Sequence, residues 1–166
     1  MVFSSVTEEN SAEFHYLMQM YSNELDEHLN QNTDAEMLKS WTNSIIQKQF
    51  DGARYLKLCY VQSTAIGFLY AKIDLPEDRG YKKIGYGYVM EFFVLPECRR
   101  KGYGKLMFQH LEDFFKSNNV KQIYLTTDPV TGKPFWEALG FAGTGEISPE
   151  NDQEVYEKCV NHGTVL

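Results

Sequence analysis

Apolar residues recur at helical spacing between Glu9 and Asn30, at Phe14, Leu17, Met18, Tyr21, Leu25 and Leu29. One apolar stripe on an otherwise polar segment predicts an amphipathic helix. Met1 to Val6, just before it, reads as a short first strand. A second helical stretch begins at "TDAEM", where Thr33 or Asp34 can cap it, and runs to about Phe50. Asp51-Gly52 breaks that pattern. "ARYLKLCYVQ" and "TAIGFLYAKID" then read as two strands joined by a tight turn near Gln62–Thr64. "LPEDRGYKK" is a loop by its proline, glycine and charges. "IGYGYVMEFFV" is a strand rich in aromatic and β-branched residues, ended by Pro96.

The pattern then returns to a helical period in "GKLMFQHLEDFFKSNN". There Leu106, Met107, His110, Leu111, Phe114 and Phe115 make one face, and Ser117-Asn118-Asn119 stop the helix. "VKQIYLTTD" is a strand, and "KPFWEALGF" is a short helix ending at Gly140. "GFAGTGEI" and "QEVYEKCV" close the chain as a pair of strands. The order predicts an α/β fold with a mixed sheet, not a strictly alternating parallel one. With 166 residues and no internal repeat or linker, a single domain over 1–166 is expected.

Composition narrows the possible functions. A net charge of −7 disfavours non-specific nucleic-acid binding. No apolar run approaches the roughly 18–20 residues of a membrane span, so no membrane partner is expected. "MVFSSVTEEN" has neither a basic start nor a long apolar core, unlike a secretory signal. Cys59, Cys98 and Cys159 are widely spaced and odd in number, which suits a reducing cytoplasm rather than a disulfide framework.

Two phrases in this acidic chain are basic and glycine-rich: "YKKIGYG", ending at Gly87, and "CRRKGYG", ending at Gly104. The first sits in a strand pattern, where backbone N–H groups pair with sheet neighbours, and its Lys82 and Lys83 are expected to face water. The second lies where a strand gives way to a helix. A helix start has backbone donors with no internal partner and a positive dipole end. Glycine allows a ligand close to the backbone. Arg99, Arg100 and Lys101 add charge. Together these features suit a phosphate or pyrophosphate. On those residues alone, a solvated basic turn opening a helix fits equally. The spacing matches neither G-x-x-x-x-G-K-[ST] nor G-x-G-x-x-G, and Pro134 spoils "TGKP".

"EFFVLPECRRKGYGKLM" resembles the acetyl-CoA signature of the GNAT family of N-acetyltransferases. That signature is an apolar strand ending in Val, followed by R-x-x-G-x-G at the start of a helix. Arg99, Gly102 and Gly104 fill it. "PFWEALGF" is similar to the family's later F-Y-x-x-x-G-F segment, and the order of elements agrees. The resemblance implies the GNAT fold: a central, mostly antiparallel sheet with one splayed parallel strand pair and about four helices. It implies acetyl-CoA as cosubstrate, with its pyrophosphate on the N–H groups of Arg100, Lys101, Gly102, Tyr103, Gly104 and Lys105. The pantetheine arm would run along Phe92, Phe93 and Val94, and a free N–H near Phe93 would polarise the thioester carbonyl.

The implied reaction is direct attack of an amine on acetyl-CoA. An ammonium must first lose a proton, and Glu91 is the candidate base. It is an acid embedded in "YVMEFFV", where burial raises a carboxylate pKa. Its other readings are a solvated face or a residue that only binds the amine. Relatives often protonate the departing thiolate with the Tyr of F-Y-x-x-x-G-F, but here that position is Trp136. Trp136 either stacks along the cofactor arm or belongs to the core. The Asn that commonly precedes that helix is replaced by Asp128-Pro129. Tyr124, Tyr103 and Tyr88 remain open as acids. Cys98 sits on the phosphate side of the loop, away from the acetyl position. His110 has a core-like place, His15, His28 and His162 lack metal-ligand spacing, and no metal is expected.

The first two helices line the acceptor side in the family. Residues 1–38 hold eight Asp or Glu and no Lys or Arg. Such a surface suits a cationic small molecule or basic peptide, although each acid alone reads more readily as a solvated helix face. Tyr16, Tyr21 and Trp41 are either aromatic walls or core. A homodimer is also consistent with the family. A non-catalytic acyl-CoA sensor of the same fold is the alternative function.

Overall fold

The computed structural model describes residues 1–127, 129–130 and 132–160. Asp128 and His162, both named above, lie outside them. The elements follow the predicted order. They are β1 (Val2–Ser4), α1 (Ser11–Leu29), α2 (Ala35–Lys48), β2 (Arg54–Val61), β3 (Thr64–Ile73) and β4 (Gly87–Val94). There follow a single 3-10 turn (Pro96–Cys98), α3 (Tyr103–Ser117), β5 (Gln122–Thr126), α4 (Gly132–Ala138), β6 (Ala142–Ile147) and β7 (Glu154–Cys159). The seven strands form one mixed sheet in the order β1-β2-β3-β4-β5-β7-β6.

Local chemistry explains the boundaries. Asp34 caps α2, its carboxylate accepting from the Met37 N–H at 2.8 Å. Asn30 ends α1 in the left-handed region at φ 51°. Gln62 and Ser63, at φ 48° and 65°, make the two-residue turn whose twist matches the β2–β3 hairpin.

The chain divides into two compact units: Met1–Tyr70 with Glu91–Met107, and Ala71–Met90 with the chain from Phe108 onward. In the first, Phe14, Leu17 and Met18 of α1 are buried, as are Leu56 and Leu58 of β2, Phe68 and Leu69 of β3, and Phe93 of β4. β1 pairs antiparallel with β2. Gly67 allows a close backbone approach here, since a Cβ on it would lie 2.2 Å from the Phe93 carbonyl oxygen.

In the second unit, β7 pairs antiparallel with both β5 and β6. The parallel β4–β5 ladder matches Gly87 with Ile123 and Tyr88 with Tyr124. The buried stripe of α3 in this unit is Phe108, Leu111 and Phe115. Met107, Leu111 and Phe115 of the predicted face are buried and His110 and Phe114 half-buried; only the helix start differs, where Leu106 is exposed and Phe108 is buried. Trp136 is 6% exposed, with the rings of Phe108, Phe135 and Phe141 at 5.7, 4.8 and 5.3 Å. Of its two readings, core is the one realised, which leaves almost no indole surface for a cofactor arm.

The first Gly-Tyr-Gly also differs from expectation. β4 begins only at Gly87, so Gly85 (φ 83°) and Tyr86 form a turn before the strand. Their N–H groups donate to the carbonyls of Asp74 and Lys83. Lys83 is not left to water. Its ammonium bridges Glu146 at 2.7 Å and Glu157 at 2.8 Å; burial lowers its pKa, but the two carboxylates together outweigh burial and hold it above the ordinary lysine value. Lys82 donates to the carbonyls of Pro76 and Asp78. Those cations tie the 75–86 loop down, because a loop of this length gains order only where its charges find partners.

Candidate active site

The candidate site lies in the first unit, where β4 runs through the 3-10 turn into α3. Pro96 cannot continue the sheet ladder, and the chain turns over Pro96–Cys98. Arg100 and Gly102 then take left-handed conformations, φ 62° and 84°, on either side of Lys101. For arginine this is an uncommon and strained conformation, of the kind kept at functional loops. The Gly102 carbonyl accepts from the Leu106 N–H at 3.2 Å and so starts α3. Among the described residues, no N–H from Arg100 to Lys105 donates a hydrogen bond. Six consecutive donors at a helix N-terminus, shaped by alternating backbone hands, form a concavity suited to an anion. Arg100, Lys101, Gly102 and Lys105 are exposed, and Tyr103 and Gly104 are half-buried.

Both Gly-Tyr-Gly phrases thus begin with a left-handed glycine. They differ in where the following donors go. After Gly85 they close a turn, and after Gly102 they stay open.

Arg99 has a different place from its neighbours. Its Nε donates to the Val94 carbonyl at 2.9 Å, and its Nη2 meets Glu24 Oε2 of α1 at 2.6 Å. The guanidinium also lies 5.5 Å from the Phe93 ring centre. Arg99 therefore clamps the loop to α1 and β4, and the loop's free charges are Arg100, Lys101 and Lys105. Sequence spacing gives no sign of this, because Glu24 and Arg99 are 75 residues apart.

Within the same unit, the Glu91 side chain receives the Tyr21 hydroxyl at 2.6 Å on Oε2. The Tyr21 ring is fixed by Phe93, Phe68 and Trp41 at 5.4, 5.6 and 5.9 Å. Burial pushes the Glu91 carboxyl up to about 7, and the Tyr21 hydrogen bond partly offsets it. A carboxyl titrating there takes a proton readily at neutral pH, as a general base requires. Tyr21 was one candidate among several aromatic residues; only the fold shows that its hydroxyl reaches Glu91. Phe93 is buried, Val94 is 8% exposed, and Phe92 is half-buried. On α2, Glu36, Met37, Ser40, Trp41 and Ser44 line a shallow groove.

The other candidate groups are constrained. In the second unit, the buried Tyr124 hydroxyl donates to Asp74, and burial and that carboxylate push its pKa far up. It is a poor proton donor. Asp74 also bridges Lys72 at 3.1 Å and accepts the Lys83 N–H at 2.7 Å, so this cluster anchors a loop. Tyr88 stacks on Tyr124 with ring centres 4.6 Å apart. His15 bonds to Ser11 and Asn43. Cys59, Cys98 and Cys159 are free thiols.

The arrangement of β4, anion-ready loop and α3 coincides with a family match. Residues 14–141 match the model of the Acetyltransferase (GNAT) family. The chain belongs to the GNAT family of acetyltransferases. No relative among curated proteins matches in sequence. Solved structures match over nearly the whole chain at low identity. PaiA N-acetyltransferase from Thermoplasma acidophilum, solved with coenzyme A, gives a TM-score of 0.72 at 16% identity, covering 95% of this chain and 98% of its own. A GNAT-family acetyltransferase from Staphylococcus aureus Mu50 gives 0.74 at 15%, covering 96% and 99%. An aminoglycoside 6'-N-acetyltransferase, also solved with coenzyme A, gives 0.69 at 14%, covering 97% and 98%. The mixed sheet with its one parallel strand pair is the GNAT fold.

Proposed function

We propose that this GNAT protein transfers an acetyl group from acetyl-CoA to a primary amine by direct attack. The observation that carries the reading is the run of unpartnered N–H groups from Arg100 to Lys105, following the strand that carries the half-buried Glu91 carboxyl. The run suits the pyrophosphate of coenzyme A, with Arg100, Lys101 and Lys105 adding charge. Phe92, Phe93 and Val94 would flank the pantetheine arm. Glu91 takes the proton from the acceptor ammonium. The amine nitrogen then bonds to the acetyl carbon, the C–S bond breaks, and the departing thiolate takes the nitrogen's surplus proton to leave as coenzyme A thiol.

The acceptor in this reading is cationic, a small molecule or a basic peptide. Six acids of the N-terminal segment, Glu8, Glu9, Glu13, Glu27, Asp34 and Glu36, are exposed and would attract it. The three free thiols fit a cytoplasmic setting.

A second reading, a non-catalytic acyl-CoA-binding sensor, draws on one observation: Trp136 occupies the place of the usual tyrosine acid and is buried. Thiol release from acetyl-CoA over a panel of polyamines, aminoglycosides and lysine peptides separates the two. Amine-dependent release supports the enzyme. Tight acetyl-CoA binding with no release for any amine favours the sensor, and no binding at all removes both.

A further inference from the structure

We infer that Tyr21 is a positioning residue for Glu91: its hydroxyl holds Oε2 and leaves Oε1 as the atom that accepts the amine proton. The inference rests on the acetyl-transfer reading above and goes one residue further into its chemistry.

Tyr21 donates to Oε2 at 2.6 Å, a length expected of a bond to a charged acceptor. Oε1 has no partner among the described residues, and it is not among their fully buried, unbonded atoms. The two oxygens are therefore unequal: one is held, and the other is open to a proton. Three aromatic rings fix the Tyr21 ring, from β4, β3 and α2, so packing aims its hydroxyl. The sequence places this tyrosine 70 residues from the acid, on the buried side of a 19-residue helix.

Tyr21 of α1 meets the carboxyl, and Phe68 of β3, Trp41 of α2 and Phe93 of β4 pack on the Tyr21 ring. Glu24, one turn on from Tyr21, is paired with Arg99. Burial and Tyr21 thus govern the proton affinity of Glu91, and they act in opposite directions. In the step itself, the ammonium proton passes to Oε1, the amine lone pair forms the C–N bond, the C–S electron pair leaves with sulfur, and the surplus proton on the acylated nitrogen passes to the departing thiolate. Tyr21 keeps its proton throughout.

Two measurements on the full chain test the assignment. The first follows the Glu91 carboxyl by carbon NMR in glutamate-labelled protein, with Glu91→Gln identifying the signal. The second is the pH profile of kcat/KM with the best amine of the panel. Tyr21→Phe removes one oxygen and keeps the ring. Its Glu91 signal should titrate about one pH unit higher, because a hydrogen bond to the charged form has been lost. The acid limb of the rate profile should move with it, lowering kcat/KM about fivefold at pH 7, while coenzyme A affinity is unchanged. Glu91→Asp withdraws the carboxylate by one methylene, and Tyr21→Phe should then have little further effect. An unmoved Glu91 titration in Tyr21→Phe overturns the assignment, as does a moved titration with an unmoved rate profile or fully additive losses in the double variant. Absence of thiol release from the unmodified chain overturns the acetyl-transfer reading itself, whatever the NMR titration shows.

Discussion

Replacing Glu91 by Gln should make the protein more stable at pH 8 and leave it nearly unchanged at pH 4. The Glu91 carboxyl is raised from 4.5 to about 7 in the fold. Its ionised form is therefore disfavoured there relative to the unfolded chain. Between pH 4.5 and 7 the unfolded chain loses this proton and the folded one retains it. The stability tied to Glu91 is thus fully present below about 4.5 and is lost as pH rises through 7. At about 1.4 kcal/mol per unit, the full difference is about 3 kcal/mol, a large part of the stability of a domain this size. Glutamine keeps the shape, cannot ionise and still accepts the Tyr21 hydroxyl.

The assay is urea unfolding of both proteins from pH 4 to 8.5, with the m-value checked at each pH. The difference should grow steadily from pH 4.5 and flatten above 7. A difference flat across that range would mean Glu91 titrates normally, and its candidacy as a base at neutral pH would lose its physical ground. The experiment needs neither cofactor nor acceptor, so it tests the carboxyl's environment independently of the reaction.

Gly102→Ala should weaken coenzyme A binding in calorimetry more than it lowers stability. A Cβ at φ 84° costs about 1–2 kcal/mol but meets no atom within 4 Å, so its effect falls on the loop's hand. Trp136→Phe should cost under about 1.5 kcal/mol in denaturant unfolding, and Trp136→Ala about 3–5 kcal/mol. Equal coenzyme A affinity in Trp136→Phe and the unmodified chain identifies the indole as core, and a large loss of affinity returns it to the cofactor. Glu36→Gln should raise KM for cationic amines at low salt, with the difference fading by 0.5 M salt. An unchanged KM at low salt removes the α2 groove from the acceptor path.

Most of the fold was legible because its elements are locally encoded. The α1 stripe, the Asp34 cap, the Gln62–Ser63 turn and Pro96 each act over a few residues, and each is where the sequence placed it. The errors came from features decided at long range. Lys83 reads as solvated because its partners, Glu146 and Glu157, lie some 60 to 75 residues on. Leu106 and Phe108 exchanged places because periodicity fixes the spacing of a buried stripe better than its phase near a helix end. The anion loop was legible as a motif, yet the division of labour within it was not. The left-handed Arg100 and the clamped Arg99 are adjacent and identical in type, and only the fold separates them.

The acidic N-terminal segment shows how the structure changes a compositional argument. Eight acids within 38 residues suggested a single electrostatic surface. Four of them have fixed partners: Glu13 accepts from Tyr60, Glu24 pairs with Arg99, Asp26 accepts from Thr33, and Asp34 caps α2. Of these four only Glu24 is matched by a cation, so any attraction of a cationic acceptor rests on the six exposed acids, Glu8, Glu9, Glu13, Glu27, Asp34 and Glu36. Glu24 has a further consequence through its place on α1. It lies three residues after Tyr21, so the helix that carries the Glu91 hydrogen bond is tied one turn later to Arg99. Arg99 in turn holds the Val94 carbonyl, just before the anion-ready loop. One helix thus contacts both the candidate base and the entrance to that loop within the first unit.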